Sequence, residues 1–162
     1  MENSKIPAFV EYLECKRARH TFKLGDTRFF GVNREPTVDL IRRLQLSDLG
    51  RVYFKIVKHG CQYGTSTSHA VRSDNSYSKT HNGKYIRATR FILDAADGRS
   101  FVVCQVLNVE QSMMGDESPM VRVVGQLREN AVLDLNVIST ISVAVKVGNT
   151  KYLVTPPNLL RC

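Results

Sequence analysis

The sequence predicts a mainly β fold with a little α: a small antiparallel barrel or meander carrying an N-terminal helix and one short additional helix. Three observations lead there. Lys84 to Asn108 holds two runs rich in β-branched and aromatic residues on either side of an Asp97-Gly98 turn signal. Arg51 to Val57 alternates apolar and polar side chains, the period of a half-buried strand. Beyond that hairpin, short apolar runs recur between turn residues every ~8–12 positions, the spacing of a barrel or sandwich.

The elements follow in order. Ser4 can cap a helix over residues 4–18, with Pro7 near its first position. Ile6, Phe9, Val10 and Leu13 then form one apolar stripe. Lys16, Arg17, Arg19 and His20 would complement the dipole at its end, or touch phosphate. Residues 21–32 resolve into two short strands around Gly25-Asp26. Thr37 caps a short helix with Val38, Leu40, Ile41 and Leu44 inward and Arg42 and Arg43 outward, and Gly50 marks its stop. In residues 51–57, Val52, Phe54 and Ile56 face the core, which leaves Arg51, Tyr53, Lys55 and Val57 as a basic-aromatic outer face.

Residues 58–83 are polar and hold His59, His69 and His81, so a long loop is expected there. The separations between those histidines are not those of a metal site, and no metal or cofactor is expected. After the central hairpin, Met120 to Leu127 and Ile141 to Val147 read as strands, with Asn136 to Thr140 as a connection. Gly148-Asn149 turns the chain into a last strand at Lys151 to Thr155, whose edge could pair in trans.

The chain of 162 residues fits one domain. Residues 1–50 read as a basic helical and strand extension packed on a barrel domain over 51–162, with the long polar loop at 58–83. The net charge of +8 is uneven. Residues 1–93 carry 17 Lys/Arg against 8 Asp/Glu, and residues 94–162 carry 6 against 7. A localised positive field suits a polyanion, although the same charge also suits an ordinary solvated surface. The residues placed to meet nucleic acid are Lys16, Arg17, Arg19, Arg42, Arg43, Lys55, Lys58, Arg87 and Arg90.

No run approaches the ~18–20 apolar residues of a membrane span, and the first ten residues lack the apolar centre of a secretory signal. An intracellular protein without a membrane partner is expected. Cys15, Cys61, Cys104 and Cys162 are far apart, and free thiols are expected, with Cys104 a small buried hydrophobe. Phosphate-loop, dinucleotide, nucleophile-elbow and zinc-protease motifs are all missing, so enzymatic chemistry has no support in the sequence.

Asp74-Asn75-Ser76-Tyr77, Gly83 to Phe91, the Asp97-Gly98 turn, Phe101 to Leu107, Val137 to Val147 and Lys151 to Asn158 follow one another in an order that resembles a bromo-adjacent-homology (BAH) domain, a β-barrel reader module of chromatin proteins. The order is also similar to the C-terminal region of transposon-derived animal proteins. The resemblance covers residues 71–160 and departs from the family after Leu107, where no Tyr- or Trp-rich run follows. It implies a nuclear, non-catalytic binding module that can hold a cationic side chain between aromatic rings. Tyr53, Tyr63, Tyr77, Tyr85 and Tyr152 are the candidates for those rings. The expected function is nucleic-acid or chromatin binding, with nucleic acid or an acidic chromatin protein as partner. The alternative is a protein-interaction or homo-oligomerisation domain.

Overall fold

The computed structural model describes residues 10–13, 21–31, 33–66, 75–111 and 120–155. The chain runs through β1 (Val10–Leu13), β2 (Thr21–Leu24), β3 (Thr27–Phe30), α1 (Val38–Leu44), β4 (Gly50–Tyr53), β5 (Lys55–Lys58), β6 (Cys61–Tyr63) and β7 (Tyr77–Thr80). It continues through β8 (Tyr85–Asp94), β9 (Arg99–Gln111), β10 (Met120–Asp134), a single 3-10 turn at Leu135–Val137, β11 (Ile138–Ile141), β12 (Val143–Val147) and β13 (Thr150–Val154).

Two antiparallel sheets share these strands. One has the order β1-β2-β3-β5-β6; the other runs β11-β7-β8-β9-β10-β13-β12, with β4 added on β8. The two ends of the second sheet are halves of one nearly continuous strand. Only Ser142 separates β11 from β12, and its N–H donates to the Tyr77 carbonyl at 3.0 Å. That sheet therefore forms a nearly closed barrel, which removes most of its exposed edge.

The hairpin β8–β9 is the frame, as expected. Gly98 occupies φ +74° in its turn, a conformation glycine adopts without a Cβ clash. On one face of the hairpin, Ile86, Ala88, Phe91, Leu93, Val102, Cys104 and Val106 meet Phe29, Tyr53, Ile56 and Tyr63 from the N-terminal half. Full burial of each large side chain here contributes ~1.5–3 kcal/mol. The other face carries two smaller cores. At one end, Leu40 and Leu46 pack on Val52, Ile92 and Val103; at the other, Tyr77, Tyr85, Leu107, Val121 and Leu153 fill the barrel.

Several expectations are corrected. Val10–Leu13 is a strand paired with Thr21–Leu24, not part of a helix; the rest of that expected helix lies outside the described residues. A short apolar run satisfies either period, and here pairing along the edge of β2 decides. Residues 51–57 are not one strand. The chain breaks at Phe54 and changes sheet, β4 pairing with β8 and β5 with β3. Tyr53 is consequently buried at 1% exposure, 5.6 Å from the Phe29 ring centre. Residues 58–83 are not a single loop. His59 and Gly60, both at positive φ, turn β5 into β6, and β7 pairs with β8 and β11. Strand β10 runs well past Leu127, bent by three register shifts against β9. Strand β13 cannot pair in trans, because β10 and β12 occupy both its edges. Cys61 is disulfide-bonded and not the free thiol expected, whereas Cys104 is free and buried.

The short helix forms as expected, with Thr37 Oγ1 accepting from Leu40 N. At seven residues it is too short to stand alone. Only Leu40 and Leu44 reach the core, while Val38 and Ile41 are exposed. The helix ends at Gln45 in the left-handed region, not at Gly50, which instead opens β4. The hairpin tip holds it in place. Fully buried Asp94 accepts from Ser47 N at 2.7 Å, Ser47 Oγ at 2.5 Å and Ala96 N at 3.0 Å, with Arg99 Nη2 at 3.5 Å. Arg99 donates in turn to the Leu44 and Gln45 carbonyls at 2.7 Å each, the open end of the helix.

Burial alone would push the Asp94 carboxyl up, but the Ser47 and Ala96 hydrogen bonds and the Arg99 charge outweigh it and hold it below the ordinary carboxylate range. Asp94→Ala is expected to cost about 3 kcal/mol in urea unfolding, because it strands buried donors. Because the folded-state value is depressed, Asp94 contributes stability above the unfolded value of ~4 and loses it as pH falls through the folded one. The stability gap to Asp94→Asn should therefore narrow on acidification; a gap constant from neutral to strongly acid pH would contradict this assignment.

Candidate nucleic-acid interface

The structure divides the basic residues singled out from sequence. Lys16, Arg17 and Arg19 lie outside the described residues. Arg42 and Arg43 are exposed on the last turn of α1. Arg90 stands opposite Val103 in the β8–β9 ladder, on the face that α1 covers, and Val103 stands opposite Val132 on β10. Arg43 Nη1 donates to the Asn130 carbonyl at 3.3 Å, just beyond the end of that cross-strand row. Arg42, Arg43 and Arg90 thus border one strip of surface. Arg87 lies further along β8 on the same face as Tyr85, with its guanidinium 4.9 Å from the Tyr77 ring centre.

Among the described residues, Arg42, Arg43 and Arg90 have no carboxylate within ion-pairing distance. Other arginines do: Arg99 pairs with Asp94 and Asp97, and Arg122 with Glu110 at 2.5 Å. An unpaired guanidinium keeps its planar fork of donors available to a phosphate.

Lys55 is exposed on the outer face of the five-stranded sheet, far from this strip. Its companions there are Lys23 and Arg28, which stand directly opposite each other. Lys58 points the other way. At 6% exposure it donates to the Leu135 carbonyl at 3.3 Å and the Ile138 carbonyl at 2.9 Å, tying the five-stranded sheet to the barrel. Its ammonium is part of the interior, not the basic surface.

The expected aromatic site is not assembled. Tyr53 and Tyr63 sit in the core between the sheets, where burial raises Tyr63 to about 12. Tyr77 and Tyr85 are also buried, and cations of the same chain already stand at their rings: Arg87 at Tyr77, and Lys79 at 5.5 Å from Tyr85. Tyr152 is half-buried on β13, opposite Arg122 and Val145. Burial raises the Cys104 thiol to about 11, with nearby Arg128 a smaller opposing influence, which keeps it protonated and inert at neutral pH. A groove of about 560 Å3 is lined by Asp26, His59, Asp134 and Asn136, but its cations, Lys58 and Arg99, are engaged elsewhere.

Sequence reasoning missed the basic residues of the last hairpin. Lys146 and Lys151 are directly opposite each other across β12–β13. The signal was present, since a two-residue turn at Gly148-Asn149 fixes that register.

Comparison with protein-family models, with curated proteins and with solved structures finds no match for this chain.

Burial lowers the Lys58 pKa, while Asp134 opposes the shift. A lysine depressed on folding costs stability while charged, and the cost is relieved as pH rises from its folded value towards 10.5. The stability of the wild type relative to Lys58→Met should therefore climb over that alkaline window in denaturant titrations. A flat difference would show that the ammonium is solvated.

Proposed function

We propose that this protein is a non-catalytic module that binds nucleic acid, or an acidic chromatin protein, through α1 and the neighbouring strip of the barrel sheet. The observation that carries this reading is the grouping of Arg42, Arg43 and Arg90 around one cross-strand row without a carboxylate partner. Helix α1 projects the first two, and the clamp of Asp94 and Arg99 fixes its orientation. A nuclear, BAH-like role accords with the barrel architecture. Here recognition rests on charge, because Tyr53, Tyr63, Tyr77 and Tyr85 are buried and do not offer a partner's cation an open ring.

Binding to short duplex DNA or RNA should weaken steeply between about 50 and about 200 mM salt. Arg42→Ala, Arg43→Ala and Arg90→Ala should each lower the log–log salt slope by about 1, while Lys55→Ala on the far sheet leaves it unchanged. Equal affinity at both salt concentrations, or a slope sensitive only to Lys55, would end the proposal.

One observation favours a second reading, self-association. Val143, Val145 and Val147 are exposed at 48%, 41% and 62% along β12, which among the described residues pairs only with β13. An exposed apolar strand face invites packing against a copy of itself. Light scattering should then give a dimer mass for the wild type and a monomer mass for Val145→Lys. A monomeric wild type at high concentration removes this reading.

A further inference from the structure

The hairpin β12–β13 carries an arrangement that strand pairing alone disfavours. Lys146 and Lys151 occupy directly opposed positions, and like charges so placed destabilise a sheet. Both share a face with Ala144 and Leu153, because side chains alternate along a strand. Leu153 is fully buried in the barrel core and Ala144 packs against it, so the two lysines belong to the barrel's inner side, towards the Gly148-Asn149 end.

Lys151 is not free to swing away. It is half-buried, and its Nζ donates to the Tyr77 hydroxyl at 2.6 Å across the barrel. Its 5.1 Å separation from the Tyr77 ring centre follows from that bond, so it contacts the oxygen and is not stacked on the ring. The ring itself takes Arg87, whose Nε also donates to Ser76 Oγ at 3.2 Å. Among the described residues, neither Lys146 nor Lys151 has a carboxylate partner. The Tyr77 hydroxyl accepts from Lys151 and, among the described residues, donates to nothing.

We infer that the rim of this barrel binds a phosphate monoester group, gripped by Lys146 and Lys151 and by the proton of the Tyr77 hydroxyl. Two ammonium groups on facing strand positions call for close to two negative charges. A phosphate monoester carries ~1.5–2 of them near neutral pH, and a carboxylate or a diester only one. The Tyr77 oxygen has its acceptor side occupied by Lys151, so its remaining proton is the natural donor to an anion beside that lysine. This site shares no residue with the Arg42, Arg43 and Arg90 strip and does not rest on it.

The test is thermal unfolding of the full chain with inorganic phosphate, against sodium chloride at matched ionic strength. The wild type should show a saturable rise in Tm with phosphate beyond that with chloride. Lys146→Met should melt higher than wild type without phosphate, since the repulsion is gone, and lose the phosphate response. Tyr77→Phe should raise the phosphate Kd about tenfold, as befits one lost hydrogen bond to a charged group. Arg42→Ala and Arg90→Ala should keep the full response. O-phosphoserine and a 5′-mononucleotide then distinguish the source of the group: the natural one competes with phosphate at lower concentration. A response matched by chloride, retained in Lys146→Met or lost in Arg42→Ala would overturn the proposal.

Discussion

A single buried carboxylate, Asp94, determines where the helix sits. It lies at the end of β8 and is completely removed from solvent. A charge in that position persists only if donors surround it, and here they come from the Ser47 loop, from the turn itself and from Arg99. Arg99 then spends its remaining donors on the last carbonyls of α1. The hairpin tip is thus a socket for a helix too short to persist by its own hydrogen bonds. The direction in which Arg42 and Arg43 project is a consequence of that socket. Lys58 plays the matching part on the opposite side of the core, where one ammonium closes the 3-10 turn and the start of β11 over the five-stranded sheet. Both ties use ions whose partners are distant in sequence, so the sheets and helix are fixed relative to one another by a few directional contacts laid over a non-directional apolar core.

What could be read from the sequence was local. The β8–β9 hairpin, the Thr37 cap, the Gly25-Asp26 turn and the Gly148-Asn149 turn each depend on residues within a few positions of one another, and all form. What could not be read depends on a partner elsewhere. Val10 to Leu13 fits a helical stripe until β2 offers an edge. Arg51 to Val57 alternates like one strand, yet Phe54 is where the chain passes from one sheet to another, so Val52 and Ile56 enter different cores. Strands β6 and β7 are polar because one lies at a sheet edge and the other beside the barrel closure. Their stability comes from ladder bonds that composition does not display.

The candidate interface shows the same division. Exposure of Arg42 and Arg43 followed from helix geometry. The inward turn of Lys58 did not, because it reads as the first residue of a polar loop, whereas β5 runs through it and alternation places it with Ile56 in the interior. The tyrosines were plausible surface rings only while strand faces were assigned by simple alternation. Counting charge by segment also hid the opposed lysines of the last hairpin. The C-terminal part balances in sum, but among the described residues Lys146 and Lys151 have no carboxylate partner.

Part of the acidic charge of this fold is tied up in its architecture. Four acidic side chains are committed to architecture: Asp94 and Asp97 hold the hairpin tip and Arg99, Asp134 caps the 3-10 turn, and Glu110 pairs with Arg122 along the β9–β10 ladder. Each is anchored by backbone geometry and cannot migrate to a lysine or arginine elsewhere. Among the described residues, Arg42, Arg43, Lys146 and Lys151 have no ion pair with a carboxylate. A compact anion from outside the chain can supply the matching negative charge. Bulk salt can supply it only diffusely, with a screening length of ~10 Å at 0.1 M. Neighbouring charges closer together than that length are therefore screened least by salt and neutralised best by an anion that carries several charges on one small group.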